Sequence, residues 1–339
     1  MTLQVLWFAL WGVLWAVYFM LDGFDFGAGM LRNFLAEGES DRGLALAAIG
    51  PVWNGNEVWL ITAGGATFAA FPLVYASMFS FLYLPMLLIL FSLIVRGVSI
   101  EFRNKSEGAK WRSWWDWALA ISSLTAPLVL GLGFGNIFEG LPIATDGYRG
   151  GFWMLFNGYG LLTAILFIAL FLQHGALWLE YRTSGSLAVR SRALASFLWY
   201  VVLGIAALFL VATAFATRIY DNYLSRPALF LVPLLAVAFL VAVKPLHARS
   251  RVLGAFSASC AAIVLVLATA FIGLFPDLIP SSIDPAASLT AFNSSSGQYT
   301  LRLMAIVAAI FVPIVIVYQF LAYRFFRAKL AKGTGGEDY

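Results

Sequence analysis

The stretch 51–95, PVWNGNEVWLITAGGATFAAFPLVYASMFSFLYLPMLLILFSLIV, carries one formal charge, Glu57, in a run far longer than one membrane helix can use. About 20 mostly apolar residues cross a bilayer, so the run reads as two spans. Pro72 divides them, because proline cannot donate to a helix and pushes the residue before it away from helical geometry. The expected spans are therefore residues 51–71 and 73–95.

Working outward, the same length rule finds seven more spans at residues 3–21, 117–134, 153–179, 193–217, 227–243, 252–275 and 303–323. The whole composition agrees. The chain has 339 residues, 62% of them hydrophobic and 11% charged, with a mean hydropathy of +0.87. Soluble domains hold about 25% charged residues, so this is an integral membrane protein. The first span is not expected to be a cleaved signal peptide: no basic residue precedes it, acids follow it, and no small-residue cleavage site is evident. Residues 1–329 read as one polytopic membrane domain and 330–339 as a short flexible cytoplasmic tail.

Nine spans place the two termini on opposite sides. Of the 21 lysines and arginines, all but Arg149, Arg218, Arg226 and Arg302 then fall on one side. The positive-inside rule makes that side cytoplasmic, with the N-terminus outside. The net charge of +4 is a record of topology and no sign of nucleic-acid binding. Trp111, Trp114, Trp115 and Trp117 mark an aromatic belt where the fourth span leaves the interface.

A single cysteine, Cys260, excludes a disulfide framework and multi-cysteine zinc or iron–sulfur sites. The two histidines limit haem and metal chemistry. His174 lies in the fifth span near Glu180, where an axial haem ligand or a proton relay is conceivable. His247, beside Lys244 and Arg249, reads as a solvated loop residue. Phe275-Pro276-Asp277 and Asn293–Ser296 read as outside turns. No phosphate loop, metal-ligand cluster or nucleophile triad is evident.

Ionisable groups at membrane depth are the main candidates for function. Asp22 and Asp25 share a helix face at i, i+3 spacing, among Gly23, Gly27 and Gly29, which admit a close neighbouring helix. They serve a functional or inter-helix role, or simply end a helix at the interface. Asn54 and Glu57 repeat the spacing at the start of the second span, where a helix-capping role is equally open. Arg96 and Asp116 face these acids from neighbouring span ends, to pair with them or to snorkel to water.

Two stretches are specific enough to name a family. DGFDFGAGM at 22–30, followed by GPVWNGNEVWLITAGGATFAAFP at 50–72, resembles subunit II of the cytochrome bd-type quinol oxidases. RGVSIEFRNK (96–105), WDWA (115–118), GFGNIFEGLP (133–142), FPDLIPSS (275–282) and AASLT (286–290) extend the resemblance along the chain. It implies an all-α fold of about nine transmembrane helices, as two four-helix bundles plus one peripheral helix, in a bacterial cytoplasmic membrane. It further implies a heterodimer with a larger subunit I that carries haem b and haem d, oxidises ubiquinol or menaquinol and reduces dioxygen to water. The haems are expected in that partner and none in this chain. A small accessory transmembrane subunit and a structural quinone fit the same family picture.

In the family, an acid in the tryptophan–aspartate–glycine–asparagine stretch is associated with a proton path at the subunit interface. Here that position is Asn54, which cannot ionise. Glu57, one helical turn on, is the expected substitute. Trp59 matches a tryptophan at the mouth of an oxygen route, or packs between helices. Two competing readings are a secondary transporter, whose polar groups would sit on broken helices at the midplane, and a purely structural assembly subunit of the oxidase.

Overall fold

The computed structural model describes residues 2–331. Helix α1 runs from Leu3 to Leu35, with the Thr2 hydroxyl accepting from the Val5 N–H at its start. At 1.5 Å per residue its 33 residues reach about 50 Å, well beyond the expected end at residue 21. The helix continues because Asp22 and Asp25 are both fully buried and find partners on other helices. After a short surface helix, α2 (Glu39–Ile49), the chain enters α3 (Trp53–Ala70).

The break at Phe71-Pro72 is real. Helix α4 (Pro72–Phe81) leaves α3 at 119°. The carbonyls freed there accept from Ser296, the Ala70 oxygen from its N–H at 2.8 Å and the Ala69 oxygen from its Oγ at 2.7 Å. A loop far along the chain thus satisfies the backbone of the break, as hydrocarbon demands.

The third span does not run unbroken from Leu73. A second break at Leu82 precedes α5 (Tyr83–Phe102), whose first turn holds Pro85, a position where the missing N–H is tolerated. Helix α6 (Ala109–Glu139) follows, with Trp111, Trp114 and Trp117 exposed near its start. The fifth span also begins late. Phe152–Phe156 forms a 3₁₀ turn, and α7 (Gly158–Arg182) starts after Asn157, whose side chain caps the Gly160 N–H at 2.6 Å.

The remaining helices are α8 (Gly185–Ala216), the short α9 (Ile219–Ser225), α10 (Leu231–Ala248), α11 (Val252–Leu274) and α12 (Gln298–Phe325). Among the described residues eight helices are long and apolar enough to span a membrane, and the bent pair α3–α4 makes a ninth. Between spans, two small antiparallel ladders, Ile143–Ala144 with Gly147–Tyr148 and Asp277–Ile279 with Leu289–Thr290, are joined by a bridge from Leu141 to Ser281.

Packing gathers α1, α3–α4, α5 and α6 into one group and α7, α8, α10 and α11 into another, the two joined by α1 on α7 and α11 and by α6 on α7. Helix α12 lies to one side against α1 and α3, and only Leu301 along it is buried. The α1–α7 crossing needs glycine. A Cβ on Gly27 would stand 1.9 Å from the Phe171 carbonyl oxygen, and one on Gly175 would stand 2.4 Å from the Ala28 nitrogen. Past α12, Leu330 forms a bridge with Thr183, so the segment expected as a tail is tied to the bundle at its first residue; 332–339 lie outside the described residues.

Candidate functional site

Two clusters of buried ionisable groups lie at the arginine-rich end of the bundle. The first lies where α1, α3 and α5 meet. Arg96, 1% exposed, presents its fork to Asp22, with Nη1 at 2.7 Å from Oδ1 and Nη2 donating to Oδ2 at 3.0 Å. The same Nη2 lies 3.4 Å from Oε2 of Glu57, and the guanidinium sits 4.2 Å from the Phe26 ring centroid. Arg96 therefore pairs and does not snorkel.

Asp25, three residues from Asp22, turns to a different partner. Its Oδ2 accepts from Asn56 Nδ2 at 2.7 Å. Asn56 Oδ1 in turn accepts from the Tyr323 hydroxyl at 2.7 Å and from Gln319 Nε2 at 3.2 Å. Gln319 Oε1 accepts from the Trp59 indole at 2.8 Å. Trp59 is thus buried between α3 and α12 as one end of a polar chain that reaches Asp25. Asn54 stays outside it: its side chain is exposed on the open face of α3 while Glu57 turns inward.

The second cluster centres on Asp116 of α6, which does not meet Arg96. Its Oδ1 accepts from Arg32 Nη1 and from Arg103 Nε, the latter at 2.6 Å, while Oδ2 lies 3.4 Å from Arg42 Nη1. Glu39, at the start of α2, takes Arg103 Nη2 at 2.8 Å and Arg112 Nη1 at 2.9 Å. The Arg103 hydrogen bond, reinforced by the charges of Arg103 and Arg112, holds the Glu39 carboxyl below its usual range.

His174 is buried in the fifth span as the sequence suggested, and His247 is not where it was expected. His174 does not meet Glu180. Its Nε2 faces the Met20 carbonyl at 3.0 Å and its Nδ1 faces Ser259 Oγ at 2.9 Å. A carbonyl can only accept, so Nε2 carries the proton and Nδ1 takes the hydroxyl hydrogen. With both nitrogens engaged and Phe256 stacked on the ring at 4.6 Å, this histidine does not fit an axial ligand. His247 is no loop residue. Helix α10 continues through Pro245 to Ala248, which buries His247 and sets its Nε2 2.6 Å from Oε2 of Glu180. Among the described residues no three histidine, cysteine or acidic side chains are grouped as a metal site would need.

Several members of these clusters are absent from the sequence reading: Asn56 as the partner of Asp25, Gln319 and Tyr323 beyond it, and Arg32 and Arg103 around Asp116. Gln319 and Tyr323 offered a signal, polar groups four apart on an otherwise apolar helix.

The chain matches the model of the family described as cytochrome bd terminal oxidase subunit II over residues 3–326. It is 35% identical to the cytochrome bd-I ubiquinol oxidase subunit 2 of Escherichia coli K12, across 95% of this chain and 93% of that protein. Against the cytochrome bd ubiquinol oxidase subunit 2 of Bacillus subtilis 168 the identity is 37%, across 97% of each. The bd oxidase structure from Geobacillus thermodenitrificans contains a chain of the same fold, with a TM-score of 0.80 at 20% identity, covering 96% of this chain and 99% of that one. This chain therefore belongs to the cytochrome bd terminal oxidase subunit II family.

Proposed function

We propose that the chain is the second subunit of a quinol oxidase of the cytochrome bd type in a bacterial cytoplasmic membrane, bound to a larger subunit I that holds haem b and haem d. The observation that carries this is the family match across residues 3–326. When bound in that partner, the haems carry electrons from quinol to dioxygen. The engaged nitrogens of His174 support placing them there. The open face of α3 supports a tightly packed neighbour, because Gly55, Gly64 and Gly65 meet nothing where a Cβ would stand. The charge asymmetry supports a cytoplasmic arginine-rich end.

This chain's own contribution is to hold and pass protons. Three carboxyl groups, Asp22, Asp25 and Glu57, lie around a single guanidinium that pairs with Asp22 and Glu57 while Asp25 is held by Asn56, so the cluster has room for protons that a balanced ion pair lacks. Glu57 is the member that reaches the edge: its side chain is 18% exposed beside the open face of α3, whereas Asp22 is sealed. Protons enter or leave through Glu57, whereas Asn54 cannot ionise and lies outside the network. The transporter reading loses its broken-helix argument, since Ser296 already occupies the carbonyls freed at the break.

The test is an optical redox spectrum of the complex that co-purifies with a tagged form of this chain in mild detergent. Haem b and haem d bands, with a larger partner, are expected. A colourless chain purifying alone, with quinol oxidase activity left in another fraction, would overturn the assignment.

A further inference from the structure

Four arginines are buried: Arg32, Arg96, Arg103 and Arg182. The first three face carboxylates. Arg182, at the C-terminal end of α7, faces none among the described residues. Its Nη1 donates to the Ala328 carbonyl at 2.5 Å, and its guanidinium carbon lies 5.7 Å from the Trp178 ring centroid. A buried guanidinium with no counter-charge is unfavourable, because it has given up water for neutral partners.

Arg182 lines a cavity of about 270 Å³ enclosed by the α2–α3 turn and the neighbouring ends of α7, α11 and α12. A second cation, Arg327, lines it too, together with Tyr181, Phe256 and Phe326, and no carboxylate does. Leu253, half exposed, forms part of its rim. Two cations, an aromatic wall and an apolar rim coincide at the arginine-rich end of a membrane bundle, where anionic headgroups collect.

We propose that this cavity binds the phosphodiester headgroup of an anionic phospholipid, with Arg182 and Arg327 as its cationic partners and the acyl chains leaving over Leu253. The aromatic and apolar walls favour the lipid over free phosphate, whose hydration they cannot replace. The site touches the acid-rich cluster through Tyr323, which lines the cavity and donates to Asn56, and it does not depend on the oxidase reading.

The test uses the intact purified complex, relipidated with dioleoylphosphatidylglycerol or with dioleoylphosphatidylcholine and examined by native mass spectrometry after stepwise delipidation. One phosphatidylglycerol should be retained per chain and no phosphatidylcholine. Arg182→Gln and Arg327→Gln should each weaken that retention about tenfold, the loss of one charge-assisted contact. Arg327 is exposed, so its variant assembles even if loss of the Arg182–Ala328 bond unfolds the other. Equal retention by Arg327→Gln and the wild type would overturn the proposal. So would protection by inorganic phosphate alone that matches the lipid. A chain shortened after Ala331 that gains a lipid the full chain lacks would also overturn it, and would make Glu337 and Asp338 the occupants.

Discussion

The two buried clusters of this chain are built from the same residue types with opposite imbalance. Around Arg96, one guanidinium pairs with Asp22 and Glu57, and a third carboxyl group, Asp25, lies beside them on Asn56. Around Asp116, four arginines, Arg32, Arg42, Arg103 and Arg112, share Asp116 and Glu39. An excess of carboxyl groups is relieved by taking up protons, whereas guanidinium stays charged at any physiological pH. The acid-rich cluster is thus suited to proton traffic, and the arginine-rich cluster is a fixed clamp between α1, α2, the α5–α6 turn and α6.

The contrast is broken most severely at Asp116. Asp116→Ala leaves Arg32 and Arg103 buried without their shared carboxylate, and removing one partner of a buried pair costs about 3–5 kcal/mol. We expect loss of assembly or a steep drop in detergent thermal stability. Asp22→Asn should be milder, because Glu57 remains on Arg96. Equal losses in the two variants would show that charge imbalance does not separate the clusters. Next in size is Gly27→Ala, on the α1–α7 crossing. The added methyl would meet the Phe171 carbonyl oxygen at 1.9 Å, and overpacking of this kind costs about 1–3 kcal/mol. An unshifted unfolding midpoint would mean that the crossing can open freely.

How much of this was legible depends on how local the physics is. Spans are dictated by the bilayer residue by residue, so hydropathy finds all nine, and Pro72 announces the break. The course of α4 was hidden, because a 119° turn depends on what Ser296, far along the chain, does for the freed carbonyls. The apolar core of the first span ended at Leu21, and Asp22 and Asp25, though on one helix face, could equally have closed the helix at the interface. Their partners lie 74 and 31 residues away, and only tertiary packing makes them interior. His247 misled for a related reason: two charged neighbours, Lys244 and Arg249, suggested a loop, while its burial is set by Glu180 on another helix. The glycines and acids at 22–30 were singled out, but not which residue meets which.

The acid-rich cluster is sharpened by Glu57→Gln. If Glu57 gates protons, turnover and proton uptake should both fall, by roughly tenfold or more for a positioned proton-transfer group, with assembly and haem content intact. Asn54→Ala should leave both near wild type, since its side chain lies outside the network. Unchanged proton uptake in Glu57→Gln would move this chain to the structural-subunit reading.

The smallest effect is expected at the rim of the arginine-rich cluster, and it carries a sign. Glu39 is held below the usual carboxylate range by the Arg103 hydrogen bond. A carboxyl depressed in the folded state adds stability above its unfolded pKa, about 4.3 for glutamate, and loses it as pH falls through the lower folded value. Its contribution is therefore complete at pH 7 and vanishes on strong acidification. Because the side chain is 48% exposed, solvent screens the pair and the gain should stay within about 1 kcal/mol. Thermal unfolding of wild type and Glu39→Gln across pH 7 to 3 should show a small gap that closes toward the acid end. A gap that widens there would mean that Glu39 is stabilised in its protonated form, and that even the rim of the clamp takes up protons as the acid-rich cluster does.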